Sequence, residues 1–238
     1  MTAYSDVRET THLNLQPTPI LDHTAASIRS IVAELRSLSA SPESFLRAAH
    51  FDLSGRIKPV YTLDEFQPAS VTLAKGRGSC SQRMACLEAL SRANDIATRV
   101  RGLWIDGRFW YPRFYLSRPF IPRRILLAWP QFYVADRWVD FDELHGSTAE
   151  LAMRSIDGFS NAGETLFEAV AHTAVDFYGK SSQCGVVCST TEFDLSKYVV
   201  GDEGFFDTRD ELFAKFGSLQ NTIRGSIFEF AFGGRKSV

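Results

Sequence analysis

Long apolar runs are missing from this chain. No stretch approaches the ~20 apolar residues that a membrane-spanning helix needs, so no membrane partner is expected. Cysteine is scarce. Four in 238 residues make no disulfide framework. The start, Met1 to Gln16, is polar and acid-containing and lacks a charged-then-apolar leader pattern. A cytoplasmic location with reduced thiols is therefore expected. Charge of one sign is also lacking: 26 Lys and Arg stand against 28 Asp and Glu, a net −2. No global field then favours nucleic acid. Repeats and low-complexity segments are absent. Aromatic residues are abundant at 13%, with 19 Phe, which predicts a Phe-rich core.

The residues present divide the chain by pattern. After an extended start broken by Pro17 and Pro19, a helix is expected from Asp22, with Ala25, Ile28, Ile31, Val32, Leu35 and Leu38 on one face. Ser41 and Pro42 open a second helix, running to about His50. Gly76 and Gly78 mark a tight loop. Ser81 to Ala93 then holds good helix formers with apolar residues on most faces, which predicts a central, buried helix. Two hairpins should follow. Thr98–Ile105 and Arg108–Leu116 flank Asp106-Gly107, and Leu126–Val134 and Arg137–Asp142 flank Ala135-Asp136. Beyond Gly146 the pattern turns mostly helical, with helices over Glu164–Tyr178 and Thr208–Phe216, the latter stopped by Gly217. One domain over 1–238 is expected: N-terminal helices at 20–50, a core at about 40–145 and a helical extension at 147–238.

Cys80 stands where a glycine-rich loop meets a helix start. The first N–H groups of a helix lack internal partners, and the dipole there favours negative charge, a thiolate included. The same N–H groups can receive a developing oxyanion. A nucleophile for acyl chemistry and a small packing thiol are both open from this position alone. Cys86, inside the same helix, reads as packing. Cys184 and Cys188 fall within zinc-ligand spacing, but no further ligand pair accompanies them, so neither a metal nor another cofactor is expected.

The segment Gly76-Arg77-Gly78-Ser79-Cys80-Ser81-Gln82-Arg83-Met84-Ala85 resembles the transglutaminase-like superfamily motif, in which a glycine, one residue and the nucleophilic cysteine lead into a helix. Ala89-Leu90-Ser91-Arg92-Ala93 through Arg99-Val100-Arg101-Gly102 is similar to that family's ALxRAxGIPxRxVxG pattern. Leu127-Ala128-Trp129 and Trp138-Val139-Asp140-Phe141-Asp142 resemble its HAW and WVxxD strands. The resemblance implies a papain-like α+β fold, with a central helix carrying the cysteine packed on an antiparallel sheet. It also assigns Cys80 as nucleophile and Asp142 as the acid orienting a base. The base position itself is Leu127, which cannot take a proton, and no histidine lies between His50 and His145.

Three readings follow. In one, the protein is an acyl-transferring, amide-forming or cyclising enzyme working without that histidine on an activated acyl donor, in a biosynthetic role. In another, it is a hydrolase of the peptidase, isopeptidase or deamidase kind with a substitute base, for which His145 beside Asp142 is the candidate. In the last, the fold is a binding module without a reaction. The substrate would be a small molecule, a peptide or an acyl group on a carrier. Leu127, Trp129 and Gln131 are expected to line the cleft, and Arg123 and Arg124 to receive an anionic substrate or a carrier arm.

Overall fold

Local signals place three helices around a fourth. The computed structural model describes residues 13–114, 118–154, 158–179, 195–218, 233–234 and 236. Helix α1 (Ala26–Leu38) buries Ile28, Ile31, Val32 and Leu35 as the spacing predicts, but Leu38 is 78% exposed at its end. Ser41 caps α2 (Pro42–Arg56) through a reciprocal bond pair with Ser44, and this helix runs a turn and a half past His50. Helix α3 (Ala69–Lys75) ends on Gly76 in the left-handed region, φ 59°. All three pack on α4 (Cys80–Ala93), whose residues from Gln82 to Arg92 are buried on every face.

A helix buried all round must find partners for its charges. Arg83 pairs with Glu168, and Glu88 with Arg209. Arg92 donates to the carbonyls of Gln16, Thr98 and Asp207 and to Thr98 Oγ1.

Two short strands, β1 (Lys58–Pro59) and β2 (Arg77–Gly78), pair in parallel just before α4. The main sheet holds β3 (Thr98–Asp106), β4 (Arg124–Val134), β5 (Arg137–Asp140) and β6 (Val199–Phe206), ordered β5-β4-β3-β6 with antiparallel neighbours throughout. The β4–β5 hairpin turns at Ala135 and Asp136, both at positive φ (50° and 58°), as a two-residue turn requires. With α4 packed on β3 and β4, the expected papain-like mixed architecture is in place.

Three expectations need correction. Asp106-Gly107 does not turn a hairpin. Asp106 Oδ1 accepts from Arg108 N–H and starts a 3₁₀ turn at Gly107–Trp110 instead. A side chain at Gly107 would lie 2.1 Å from the Pro122 carbonyl oxygen, so the glycine serves a close approach, and β3 pairs with the distant β4. The helix expected at 164–178 shrinks to α6 (Leu166–Ala169), after α5 (Thr148–Arg154). On a continuous helix Phe167 and Phe177 would sit about 15 Å apart along the axis. The turns instead fold both onto the rings of Phe141 and Trp129. The C-terminal part also contributes β6 before α7 (Arg209–Phe216). Cys184 and Cys188 lie outside the described residues. Among the described residues no helix is long and apolar enough to cross a membrane.

Candidate active site

The turn that delivers Cys80 is fixed from both sides. Val60 N–H donates to the Gly78 carbonyl at 3.1 Å, and a side chain at position 78 would meet Thr72 Cγ2 at 2.8 Å. Only glycine passes there without displacing the Thr72 side chain of α3. Ser79 then caps α4. Its hydroxyl accepts from Gln82 N–H, and the Gln82 side chain accepts from Ser79 N–H. Gln82 Nε2 also donates to the Asp64 carbonyl, tying the 60–66 segment to the helix. Cys80 is the first residue of α4 and half-buried. The first-turn amides of Cys80 and Ser81, which helix geometry leaves without intrahelical acceptors, stand where these residues line a cavity.

The cavity measures about 120 Å³. Its walls are mainly apolar, with Trp110, Phe114 and Ile121 from the loop after β3 and Leu127 from β4. Cys80 and Leu127 thus share one enclosure. The side chain at the position that the resemblance gives to a base completes a hydrocarbon wall.

The other residues named from sequence stand elsewhere, outside the lining of this cavity. Asp142 is buried in the turn after β5, where its Oδ1 accepts from Trp129 Nε1 at 3.3 Å. Gln131 accepts from Arg99 and donates to Asp140, both at 2.7 Å. Arg123 is exposed, and the Arg124 guanidinium stacks over Trp104 at 5.0 Å. His145 contacts His50, Nε2 to Nδ1, at 3.1 Å, while His50 Nε2 lies 2.6 Å from the Phe167 carbonyl. That carbonyl is an acceptor, so His50 carries its proton on Nε2, and its Nδ1 accepts from His145. Burial pulls both imidazoles down to a pKa of about 4. Cys86 is fully buried, and burial pushes its thiol up.

Sequence reasoning missed a polar chain beside Cys80. Glu65 lines the cavity, and its Oε2 accepts from the Ser81 hydroxyl. The Ser81 hydroxyl accepts in turn from Arg209 at 3.0 Å, and Arg209 donates to Glu88 at 2.5 Å and to the Ala128 carbonyl at 3.0 Å. Burial of the Glu65 carboxyl raises its pKa to about 7. The Ser81 bond and the Arg209 charge oppose the rise, and Asp64 adds to it. Ser81 was visible in the motif. Glu65 sits in a stretch without periodicity, and Arg209 arrives from more than a hundred residues away. Among the described residues no group of three or more His, Cys, Asp or Glu side chains is arranged to hold a metal ion.

A buried helix headed by a half-buried cysteine and packed on an antiparallel sheet defines a papain-like cysteine fold. The sequence model of the transglutaminase-like superfamily matches residues 29–143, the part of the chain from α1 to the turn holding Asp142. No curated protein and no solved structure matches the chain.

Proposed function

We propose that the protein is a cysteine-dependent acyltransferase or amide-forming enzyme, in which Cys80 carries a small apolar acyl group as a thioester. The observation that supports this reading is the single cavity shared by Cys80, the first-turn region of α4 and the hydrocarbon wall that includes Leu127. The Cys80 sulfur attacks an activated carbonyl, the C–S bond forms and the leaving group departs with a proton. An amine or another acceptor then takes the acyl group and returns the thiol. The oxyanion formed at each attack faces the amides at the start of α4.

The wall chemistry favours transfer over hydrolysis, because an apolar enclosure disfavours water next to the thioester. Size sets the acyl class. An apolar cavity of about 150 Å³ holds benzene, so the somewhat smaller but partly open cavity here suits a butyryl-sized group and at most a benzoyl-sized one. The reading is tested with phenyl thioesters of acetic, benzoic and octanoic acid, each incubated with a primary amine, and with Cys80→Ala as control. Amide should exceed free acid, benzoyl should be the preferred donor, and the variant should form neither product enzymatically. Equal amide formation by Cys80→Ala would eliminate the reading.

A further inference from the structure

A thiol that attacks a carbonyl must release a proton, and the proton must reach the leaving group. Leu127 has no site for it. Asp142 is buried against Trp129 outside the cavity lining, and His145 donates to His50. Among the described residues one carboxyl group lines the cavity with Cys80. It belongs to Glu65, on the segment that crosses in front of α4.

We infer that Glu65 takes and returns the proton of the Cys80 thiol, filling the role for which position 127 supplies no group. The inference rests on the acyl-transfer reading of Cys80. Its geometry has three parts. Glu65 and Cys80 share the enclosure. The hydroxyl of Ser81, the residue next to Cys80, holds Glu65 Oε2, which leaves Oε1 for a second partner. Arg209 holds that hydroxyl from the far side, so the carboxyl is fixed from α7 through α4. Gln82 adds rigidity by bonding the Asp64 carbonyl, one residue before Glu65.

The steps balance. In acylation the Cys80 S–H proton passes to the Glu65 carboxylate, the S–C bond forms, and the bond from carbon to the leaving group breaks. The neutral Glu65 then protonates the leaving group. In transfer the carboxylate takes a proton from the incoming amine, the C–N bond forms, the C–S bond breaks, and the proton returns to sulfur. A group that must both take and give a proton near neutrality works best when its two forms are comparably populated there. Burial of the Glu65 carboxyl meets that condition, with a pKa of about 7. The charged and titratable groups around it are Asp64 on its own segment, Arg209 from α7, and Tyr61, Cys80 and Arg113 in the cavity lining.

The test is the single-turnover acylation of Cys80 by a phenyl and an ethyl thioester of benzoic acid from pH 5 to 9, read by intact mass. The wild-type protein should accelerate through pH 7 and then level off. Glu65→Gln keeps an oxygen for the Ser81 hydroxyl. It should lose the break at pH 7 and slow by about 10²-fold or more at pH 7.5, with the larger loss on the ethyl thioester, whose leaving thiol is harder to expel. Ser81→Ala keeps the carboxyl but removes a bond that lowers its pKa, so the break should persist and move to higher pH. Acylation of Glu65→Gln at the wild-type rate and pH profile would overturn the role of Glu65 while leaving Cys80 as nucleophile. An unmoved break in Ser81→Ala would overturn it as well. No adduct on Cys80 in the wild-type protein would remove the acyl-transfer reading and this inference together.

Discussion

Arg209→Met cuts a buried ion pair that joins the C-terminal part of the chain to the cysteine helix. The two side chains are 1% and 0% exposed and meet at 2.5 Å. The substitution leaves Glu88 without its counter-charge in a dry interior, and breaking a buried pair in this way costs about 3–5 kcal/mol. It also frees the Ala128 carbonyl and the Ser81 hydroxyl of a donor. For a domain of this size each kcal/mol lowers Tm by about 2 °C, so a fall of about 6–10 °C is expected at pH 7. Burial already raises the Glu88 pKa against the pull of Arg209. Without the guanidinium Glu88 takes a proton more readily, so the deficit should shrink toward pH 5. Calorimetry of wild type, Arg209→Met, Glu88→Gln and the double variant measures all of this, and the double variant should recover most of the loss because neither charge of the pair is left buried alone. A Tm for Arg209→Met within 2 °C of wild type, or a double variant as unstable as the single, would refute the reasoning.

Three further outcomes follow from the same geometry. The His50 and His145 pKa values are depressed from 6.5 to about 4, so their contribution to stability is full above pH 6.5 and is lost as pH falls toward 4. The loss is about 3 kcal/mol for the buried His50, and titration of either ring near 6.5 by NMR would contradict the assignment. Glu65 has the opposite sign. Its folded pKa of about 7 lies above the ordinary carboxyl value of 4.5, so it costs stability as pH rises from 4.5 to 7, and Glu65→Gln should melt higher than wild type at pH 8 but not at pH 4.5. Leu127→His places an imidazole in the enclosure of Cys80, and iodoacetamide labelling of Cys80 at pH 7 should accelerate at least tenfold, as read by peptide mass mapping.

The core of the fold was legible where local chemistry decides the structure. Ser41-Pro42 opens α2, Ala135-Asp136 turns β4 into β5, and the all-round apolar pattern of 81–93 marks a buried central helix. Asp106-Gly107 carries the same turn signal as a true hairpin, but its glycine answers to the Pro122 carbonyl, a contact that no local pattern encodes. Strand β6 escaped notice because Gly201 and Gly204 interrupt any alternation. At Gly201 the Trp104 side chain and the Arg124 guanidinium come so close that a side chain would crowd them. In the site, Cys80 at the head of α4 and an apolar Leu127 at the position that the resemblance gives to a base were readable from motif order. The Glu65–Ser81–Arg209–Glu88 chain was not, because its members meet only after β3, β4 and α7 have packed, and nothing in the spacing of 65, 81 and 209 announces a contact.

The most direct measurement is the mass and position of an adduct after brief mixing of the full chain with phenyl thiobenzoate, followed by an acid quench and peptide mapping. A single benzoyl group on Cys80, discharged when an amine is added, is the predicted result. Benzoylation scattered over lysines with Cys80 unmodified, or a Cys80 adduct that no acceptor discharges, would contradict an acyl-carrying cysteine at the head of α4.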